Sequence, residues 1–136
     1  NGQSFQRFFN SPAFTQEEHD SLYKMLDYMS ELLLKNGSSV VYDANLNRHV
    51  HRQEKYKLAR RAGAKTELVW LVVPKEIAKS RRMKTQRVEL IPSGETGPSM
   101  FDRIAGIFEP PHKDETFSEL DGTKISSKYV SDKLDI

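Results

Sequence analysis

The sequence contains no cysteine, which excludes disulfide bonds and thiolate metal sites and is typical of a reducing compartment. No apolar run approaches the roughly 18 residues that a membrane-spanning helix requires, and no signal-peptide pattern is present. We therefore expect a cytoplasmic protein. The chain begins at Asn1 rather than at methionine, so we expect it to be processed, trimmed or only partly observed.

The composition indicates a folded protein with a large polar surface. Charged residues make up 29% of the chain, aromatic residues make up 10%, and the mean hydropathy is −0.66. A chain of 136 residues is long enough for a single core, so we expect one domain, residues 1–136.

Basic side chains are concentrated between residues 48 and 87, although the net charge of the whole chain is only +2. Only Glu54, Glu67 and Glu76 oppose them in that stretch. Such a cluster favours an anionic ligand, either nucleotide phosphates or a nucleic-acid backbone. The alternative is a solvated helix face, above all for residues 55–61.

The first element is predicted to be a helix over Gln16–Lys35. Thr15 and Glu18 have the spacing of a capping box, and Gly37 suits the left-handed turn that ends a helix. Apolar residues recur at helical spacing and define the face expected to be buried. That face consists of Leu22, Met25, Leu26, Met29, Leu32 and Leu33.

Two apolar runs, residues 39–44 and 66–73, are predicted to be strands on either side of a second helix. Asn47 is expected to cap that helix and Gly63 to end it. The second run is apolar at nearly every position, which is typical of a parallel strand covered on both faces. Pro74 then suits the first position of a third helix.

In the rest of the chain, segments rich in glycine and proline alternate with short runs that have the periodicity of a helix or a strand. In the third helix, Ile77 and Ala78 are expected to face inward. Beyond it the sequence predicts a loop at 90–99, a short helix at 100–108, a strand at 117–120, a turn at 121–123 and a helix at 126–134.

Asp43 is the leading candidate for chemistry. It ends the first predicted strand, and in open α/β sheets ligands bind at the carboxyl ends of the strands. A carboxylate there can hold a metal, orient a water molecule or accept a proton. The alternative is that Asp43 only caps the following turn.

Arg81, Arg82 and Arg87 lie where a helix gives way to a loop rich in glycine and proline, so residues 81–99 are a candidate lid. A lid arginine can neutralise charge on a transferring phosphoryl group. Guanidinium suits this task because it is planar, presents several donors and stays charged. The alternative is a basic surface loop.

Two other classes of site are disfavoured. His49 and His51 are two residues apart at the start of a helix, so they diverge, and no metal site is expected from them. No G-x-S-x-G motif is present, which disfavours a serine hydrolase.

The motif order resembles the P-loop kinase family that includes zeta toxins and the kinase domain of polynucleotide kinase. The resemblance covers most of the chain. It is carried by Val40-Val-Tyr-Asp-Ala-Asn45, Arg48, Arg52, Ala59-Arg-Arg-Ala-Gly63, Val69-Trp-Leu-Val-Val-Pro74, the lid arginines and Phe108-Glu-Pro-Pro111 with Asp114-Glu115.

The resemblance implies a P-loop NTPase-like α/β fold, a doubly wound parallel sheet with a helical lid. It also implies a kinase that uses ATP and Mg²⁺ to phosphorylate a hydroxyl acceptor. The implied catalytic residues are Asp43, Arg81, Arg82 and Arg87. The implied substrate-binding residues are Asn45, Arg48 and Arg52, and the turn implied to contact the cofactor's adenine is Asp121, Gly122 and Thr123.

One departure from the family is that the phosphate-binding motif G-x-x-x-x-G-K-[ST] does not occur in this sequence. We expect that motif and the first strand before Asn1, and without them this chain alone is expected to be inactive. The alternatives are a non-catalytic nucleic-acid-binding or protein-binding remnant, or a toxin-type kinase held by an inhibitory protein partner. The acceptor is left open among a nucleic-acid end, a nucleotide sugar and a small metabolite.

Overall fold

The computed structural model of the chain describes residues 13, 15–44, 46–85 and 94–134. These residues fall into two compact units. The first contains the described residues up to Thr66 together with Gly94, and the second contains the other described residues from Glu67 onward. Among the residues described, no helix combines the length and the apolar character needed to cross a lipid bilayer.

The first unit contains two packed helices, α1 (Gln16–Lys35) and α2 (His49–Arg61). Helix α1 has the predicted bounds because its end signals are local. The Oγ1 atom of Thr15 accepts a hydrogen bond from the amide of Glu18 at 3.2 Å, and Gly37 adopts a φ of 79° after the last turn.

Helix α2 begins at His49, one residue later than predicted, so that Arg48 rather than Asn47 holds the N-cap position. Its end is as predicted, with Gly63 at a φ of 71°. The core of this unit contains Leu22, Leu58 and Ala59, all buried.

The prediction of a strand over residues 39–44 is wrong. This segment forms no strand in the structure, and the side chain of Val41 is 94% exposed. An apolar run becomes a strand only where a neighbouring backbone offers it hydrogen bonds, and the strands at 68–72 and 117–121 pair with one another instead.

The buried face of α1 also differs from the prediction. Leu22 is 1% exposed, whereas Met29, Leu32 and Leu33 are 49%, 43% and 48% exposed. The buried side of the helix includes Ser30 instead. The helix is therefore rotated toward a partly polar face, whose contacts are described below.

The second unit is a two-stranded parallel sheet with three helices. Its elements are β1 (Leu68–Val72), α3 (Lys75–Lys84), α4 (Gly97–Gly106), β2 (Phe117–Asp121) and α5 (Ser127–Leu134). In the register of the sheet, Leu68 is opposite Phe117 and Val72 is opposite Asp121. A parallel pair requires a long crossover connection, and α3 and α4 supply it.

The two strands of the sheet are covered unequally. On β1, the ring of Trp70 lies 6.2 Å from that of Phe108 and 5.9 Å from that of Phe117, whereas Val69 and Leu71, on the opposite face of this strand, are 39% and 55% exposed. On β2, Leu120 is only 2% exposed, although it is paired with Leu71 and lies on the same face of the sheet. The expectation that the strand is covered on both faces is therefore wrong for the described residues.

The helices of this unit differ from the predictions mainly at their starts. Pro74 is the N-cap of α3 rather than its first residue, and Ile77 is 41% exposed rather than buried. Helix α4 begins at Gly97, inside the predicted loop, because Thr96 and Ser99 form a reciprocal capping box.

Candidate functional site

The turn that follows β2 is held by a network of short hydrogen bonds. One carboxylate oxygen of Asp121 accepts from the amide of Thr123 at 2.9 Å and from its hydroxyl at 2.6 Å. The amide of Asp121 donates to the hydroxyl of Tyr129 on α5 at 2.9 Å. The turn at 121–123, predicted from the sequence, is thus a rigid feature.

The carboxylate of Asp121 is strongly favoured in its ionised form. The hydrogen bonds from the hydroxyl and the amide of Thr123, aided by the nearby Lys124, lower the pKa of Asp121 to about 2. The Oδ2 atom of Asp121 forms an ion pair with the ammonium group of Lys124 at 3.2 Å. The turn therefore carries a fixed negative charge over the ordinary range of pH.

Gly122 is required at the centre of this turn because the turn packs closely on the end of β1. Its amide donates to the carbonyl of Val72 at 2.9 Å. A Cβ atom at this position would overlap a methyl group of Val73 and would lie 3.4 Å from the carbonyl oxygen of Val72. No larger residue fits without a shift of the backbone or of Val73.

Arg81 reaches this turn from the last part of α3. Its Nη1 atom donates to the carbonyl oxygen of Gly122 at 2.7 Å, across 41 residues of sequence. Helix α3 begins directly after β1, and the turn begins directly after the adjacent β2, so both lie at the carboxyl edge of the sheet. The structure thus brings together two predicted features, a lid arginine and the turn.

Arg82, another predicted arginine of the lid, makes a different contact. Arg82 lies 3.5 Å from the hydroxyl of Thr85, which itself donates to the carbonyl of Arg82 at 2.8 Å and closes the end of α3. Arg87 lies outside the described residues. The proposed catalytic roles of Arg82 and Arg87 stay predictions.

Part of the basic surface of α3 is paired with a carboxylate on α4. The two oxygens of Asp102 contact the ammonium groups of Lys79 at 2.6 Å and Lys75 at 3.2 Å. These lysines hold the pKa of Asp102 below its ordinary value. They are therefore counterions of Asp102 as well as candidates for contact with an anion.

In the first unit, Asp43 is exposed and lies beside a half-buried tyrosine. The hydroxyl of Tyr42 donates to Asp27 on α1 at 2.8 Å. The same carboxylate accepts from Lys55 on α2, at 2.6 Å and 2.7 Å to its two oxygens. Burial and the neighbouring Asp27 together raise the pKa of Tyr42 well above its usual range.

The predicted substrate-binding residues occupy contrasting positions. Arg48 is the exposed N-cap of α2, whereas Arg52 is only 3% exposed. The Nη1 atom of Arg52 donates to the carbonyl of Leu46 at 3.0 Å. Asn45 lies outside the described residues, and its role in substrate binding stays a prediction.

Sequence reasoning missed the contact of Asp27 with Lys55 and Tyr42. The sequence contained one indication of it, since Asp27 lies at the i+4 position from Tyr23 and next to Leu26, which belongs to the face of α1 that was predicted to be buried. An acid at such a position requires a partner, but nothing in the sequence identifies Lys55 among the many basic residues of α2.

A family comparison agrees with the coarse form of the sequence resemblance. The family model described as AAA domain matches residues 3–97, more than half of the 136 residues. The chain belongs to the AAA domain family. Searches of curated proteins and of solved structures found no match to it.

Membership of the AAA domain family confirms several predictions at a coarse level. The family is P-loop NTPase-like, includes kinases, and consists of domains that generally bind a nucleotide with Mg²⁺. A P-loop NTPase-like α/β fold agrees with the parallel sheet and helices observed. The match ends at residue 97, so β2 and the turn at 121–123 lie beyond it.

Proposed function

We propose that the protein is an ATP-dependent phosphotransferase, a kinase that moves the γ-phosphoryl group of ATP to a hydroxyl acceptor with Mg²⁺. The observation that carries this proposal is the hydrogen bond from Arg81 to the carbonyl of Gly122 at 2.7 Å. It joins an arginine suited to a phosphoryl group to the turn that the family resemblance assigns to adenine. Membership of a nucleotide-binding family supports the same conclusion.

In this proposal each part of the chain has a distinct task. The turn at 121–123 contacts the base, and Arg81 neutralises charge on the phosphoryl oxygens during transfer. Asp43 orients the acceptor hydroxyl and accepts its proton. Bound together with ATP, Mg²⁺ would supply neutralisation of the phosphate charge.

The chemistry of Arg81 explains why an arginine is needed. One Nη donates to Gly122, and the planar guanidinium has further donors in a fixed geometry for a phosphoryl group. A lysine has no second nitrogen to hold the carbonyl while it contacts phosphate. We therefore expect Arg81→Lys to be defective although the charge is kept.

The test measures transfer of labelled γ-phosphate from ATP by the full-length protein, together with the dissociation constant for ATP. Acceptors are a 5′-hydroxyl oligonucleotide, a nucleotide sugar and small hydroxylated metabolites. Arg81→Ala is expected to lower kcat about 10³-fold while ATP affinity changes much less. Arg103→Ala is the matched control, because Arg103 is a surface arginine of the same unit paired with Glu95 at 2.6 Å.

Two results would overturn this proposal. One is the absence of measurable ATP binding by the full-length protein, and the other is unchanged turnover in Arg81→Ala. Nucleic-acid binding that falls steeply with salt and ignores ATP would favour the non-catalytic alternative. Co-purification of a small helical protein that blocks transfer would identify the toxin-type alternative.

A further inference from the structure

We propose that Asp27, Lys55 and Arg52 are positioning residues that fix the segment 42–46 at both of its ends and thereby set the place of Asp43. This inference rests on the proposed function, in which Asp43 orients the acceptor hydroxyl. It names residues that neither the family resemblance nor the sequence pattern assigns to that task.

The N-terminal end of the segment is held through Tyr42. Its hydroxyl donates to Asp27 at 2.8 Å, and the ammonium group of Lys55 lies 5.0 Å from the centre of its ring. Lys55 also lies 5.9 Å from the ring of Tyr23 on α1. The tyrosine immediately before Asp43 is therefore held by a carboxylate at its tip and by a cation over its face.

The C-terminal end of the segment is held through Leu46. The guanidinium of Arg52 donates to the carbonyl of Leu46 at 3.0 Å, and the amide of Leu46 donates to the carbonyl of Ala44 at 2.8 Å. Arg52 and Lys55 are three residues apart on α2, so they project from the same side of that helix. One helix face thus holds both ends of the segment.

The burial of these groups argues against a merely solvated ion pair. The Lys55 side chain is 14% exposed and that of Asp27 is 33% exposed, and Arg52 is 3% exposed. Charged groups at such depth cost free energy unless they are paired and hydrogen-bonded. The contacts to Tyr42 and Leu46 are among the partners that offset this cost.

The position of Asp43 is not fixed by a helix or a strand. The described residues around it, among them Tyr42, Ala44 and Leu46, form neither a helix nor a strand, and Asp43 and Val41 are exposed. Its position consequently depends on what holds its neighbours. A displacement of about 1 Å at a reacting group can lower a rate about 10²-fold, which is why the two anchors matter for the proposed chemistry.

This inference also changes the expected role of Arg52. The sequence predicts a contact with the acceptor, whereas the guanidinium is buried and bound to a backbone carbonyl of its own unit. We assign Arg52 to positioning of the segment 42–46, and of the predicted substrate-binding arginines this leaves Arg48, the exposed N-cap of α2, for contact with an acceptor.

The experiment compares Lys55→Met, Lys55→Arg and the control Arg61→Gln in the full chain. Arg61 lies on α2, as Lys55 does, and its guanidinium forms an ion pair at the surface with Glu31 of α1 at 3.2 Å. The first readout is the ¹⁵N order parameter of the amides of Asp43, Ala44 and Leu46. We expect values near 0.85 in the wild type and in the control, and below about 0.6 in Lys55→Met. Lys55→Arg should restore most of the loss, because arginine can bind the same carboxylate.

The second readout is phosphotransfer from ATP to a 5′-hydroxyl oligonucleotide. Lys55→Met should lower kcat about 10-fold to 100-fold and leave the KM for ATP within about 2-fold. Tyr42→Phe is the second variant, because it removes only the hydroxyl donor to Asp27 and keeps the ion pair. It should lower the same order parameters to a smaller extent.

The two readouts separate failure of this inference from failure of the proposed function. Unchanged order parameters in both Lys55→Met and Tyr42→Phe would overturn the positioning role whatever the kinetics show. Order parameters that fall in the variants, in a protein whose wild type shows no phosphotransfer, would retain the anchors and reject the kinase. Equal loss of kcat in Arg61→Gln and Lys55→Met would indicate a general effect of charge on α2, and would also overturn it.

Discussion

Substitution of Gly122 by alanine is the sharpest test of the turn that receives Arg81. The added Cβ would overlap a methyl group of Val73 and would lie 3.4 Å from the carbonyl oxygen of Val72. Val73 is branched at Cβ, so its methyl group cannot swing away as the end of a long side chain would. Either Val73 and its strand shift, or the turn moves away from β1.

Both responses cost a similar amount of free energy. Overpacking of a closely packed site costs about 1–3 kcal/mol. Movement of the turn would instead weaken the bonds of Gly122 to Val72 at 2.9 Å and to Arg81 at 2.7 Å. Such hydrogen bonds contribute about 0.5–3 kcal/mol each. We expect a loss of about 2 kcal/mol, or about 7 °C in Tm for a chain of 136 residues.

The assay is urea unfolding followed by tryptophan fluorescence. Trp70 is the single tryptophan of the chain and lies on β1, so the signal reports on the unit that contains Gly122. Gly106→Ala is the matched control, because a Cβ at that position, the last residue of α4, meets nothing within 4 Å. The control should leave stability unchanged or raise it slightly, since alanine is the better helix former.

A Gly122→Ala protein within about 0.5 kcal/mol of the wild type would refute this account of the turn. A second check is the double variant with Val73→Ala, which removes the methyl group that the new Cβ would overlap. The two substitutions should then be less than additive, because neighbouring sites that share a contact couple energetically.

Two further predictions concern the same unit. Because the pKa of Asp121 is lowered from an ordinary 3.8 to about 2, its contribution to stability should be complete above about pH 4 and disappear as the pH falls through 2. The urea midpoint of Asp121→Asn should therefore change less with pH between about 2 and 4 than that of the wild type. Parallel curves of midpoint against pH for the two proteins would contradict the lowered pKa of Asp121. Leu120→Ala should cost about 2–5 kcal/mol because Leu120 is 2% exposed. Leu71→Ala, at 55% exposure, should cost under about 1 kcal/mol, and equal losses would show that Leu71 is covered as completely as its pairing partner Leu120.

Local signals predicted most of the elements. The bounds of α1 follow from Thr15 and Gly37, and the end of α2 follows from Gly63. These residues act through the backbone a few positions away, so the sequence alone contains the necessary information. The start of α4 was missed although Thr96 and Ser99 cap it, because the glycine and proline beside them are also typical of loops.

Faces and pairings could not be predicted in the same way. The apolar stripe of α1 predicts that Met29 and Leu33 are buried, but the structure buries Leu22 and Ser30 and turns Asp27 toward Lys55. A charged pair that joins two helices fixes the rotation of each, and hydrophobic periodicity contains no information about it. Residues 39–44 failed as a strand for a related reason, since strand formation depends on a partner backbone that lies elsewhere in the fold.

In the candidate site, too, the sequence indicates the residues but not the contacts between them. Arg81 and the turn at 121–123 were each singled out from the sequence, yet the bond between them spans 41 residues and appears only in the structure. If the turn contacts adenine, as proposed, then base binding and the position of Arg81 are linked through the carbonyl of Gly122. Linkage between binding events is reciprocal. A substitution that moves the turn should therefore weaken the hold of Arg81 on phosphate, and a loss of Arg81 should loosen the turn even when no nucleotide is bound.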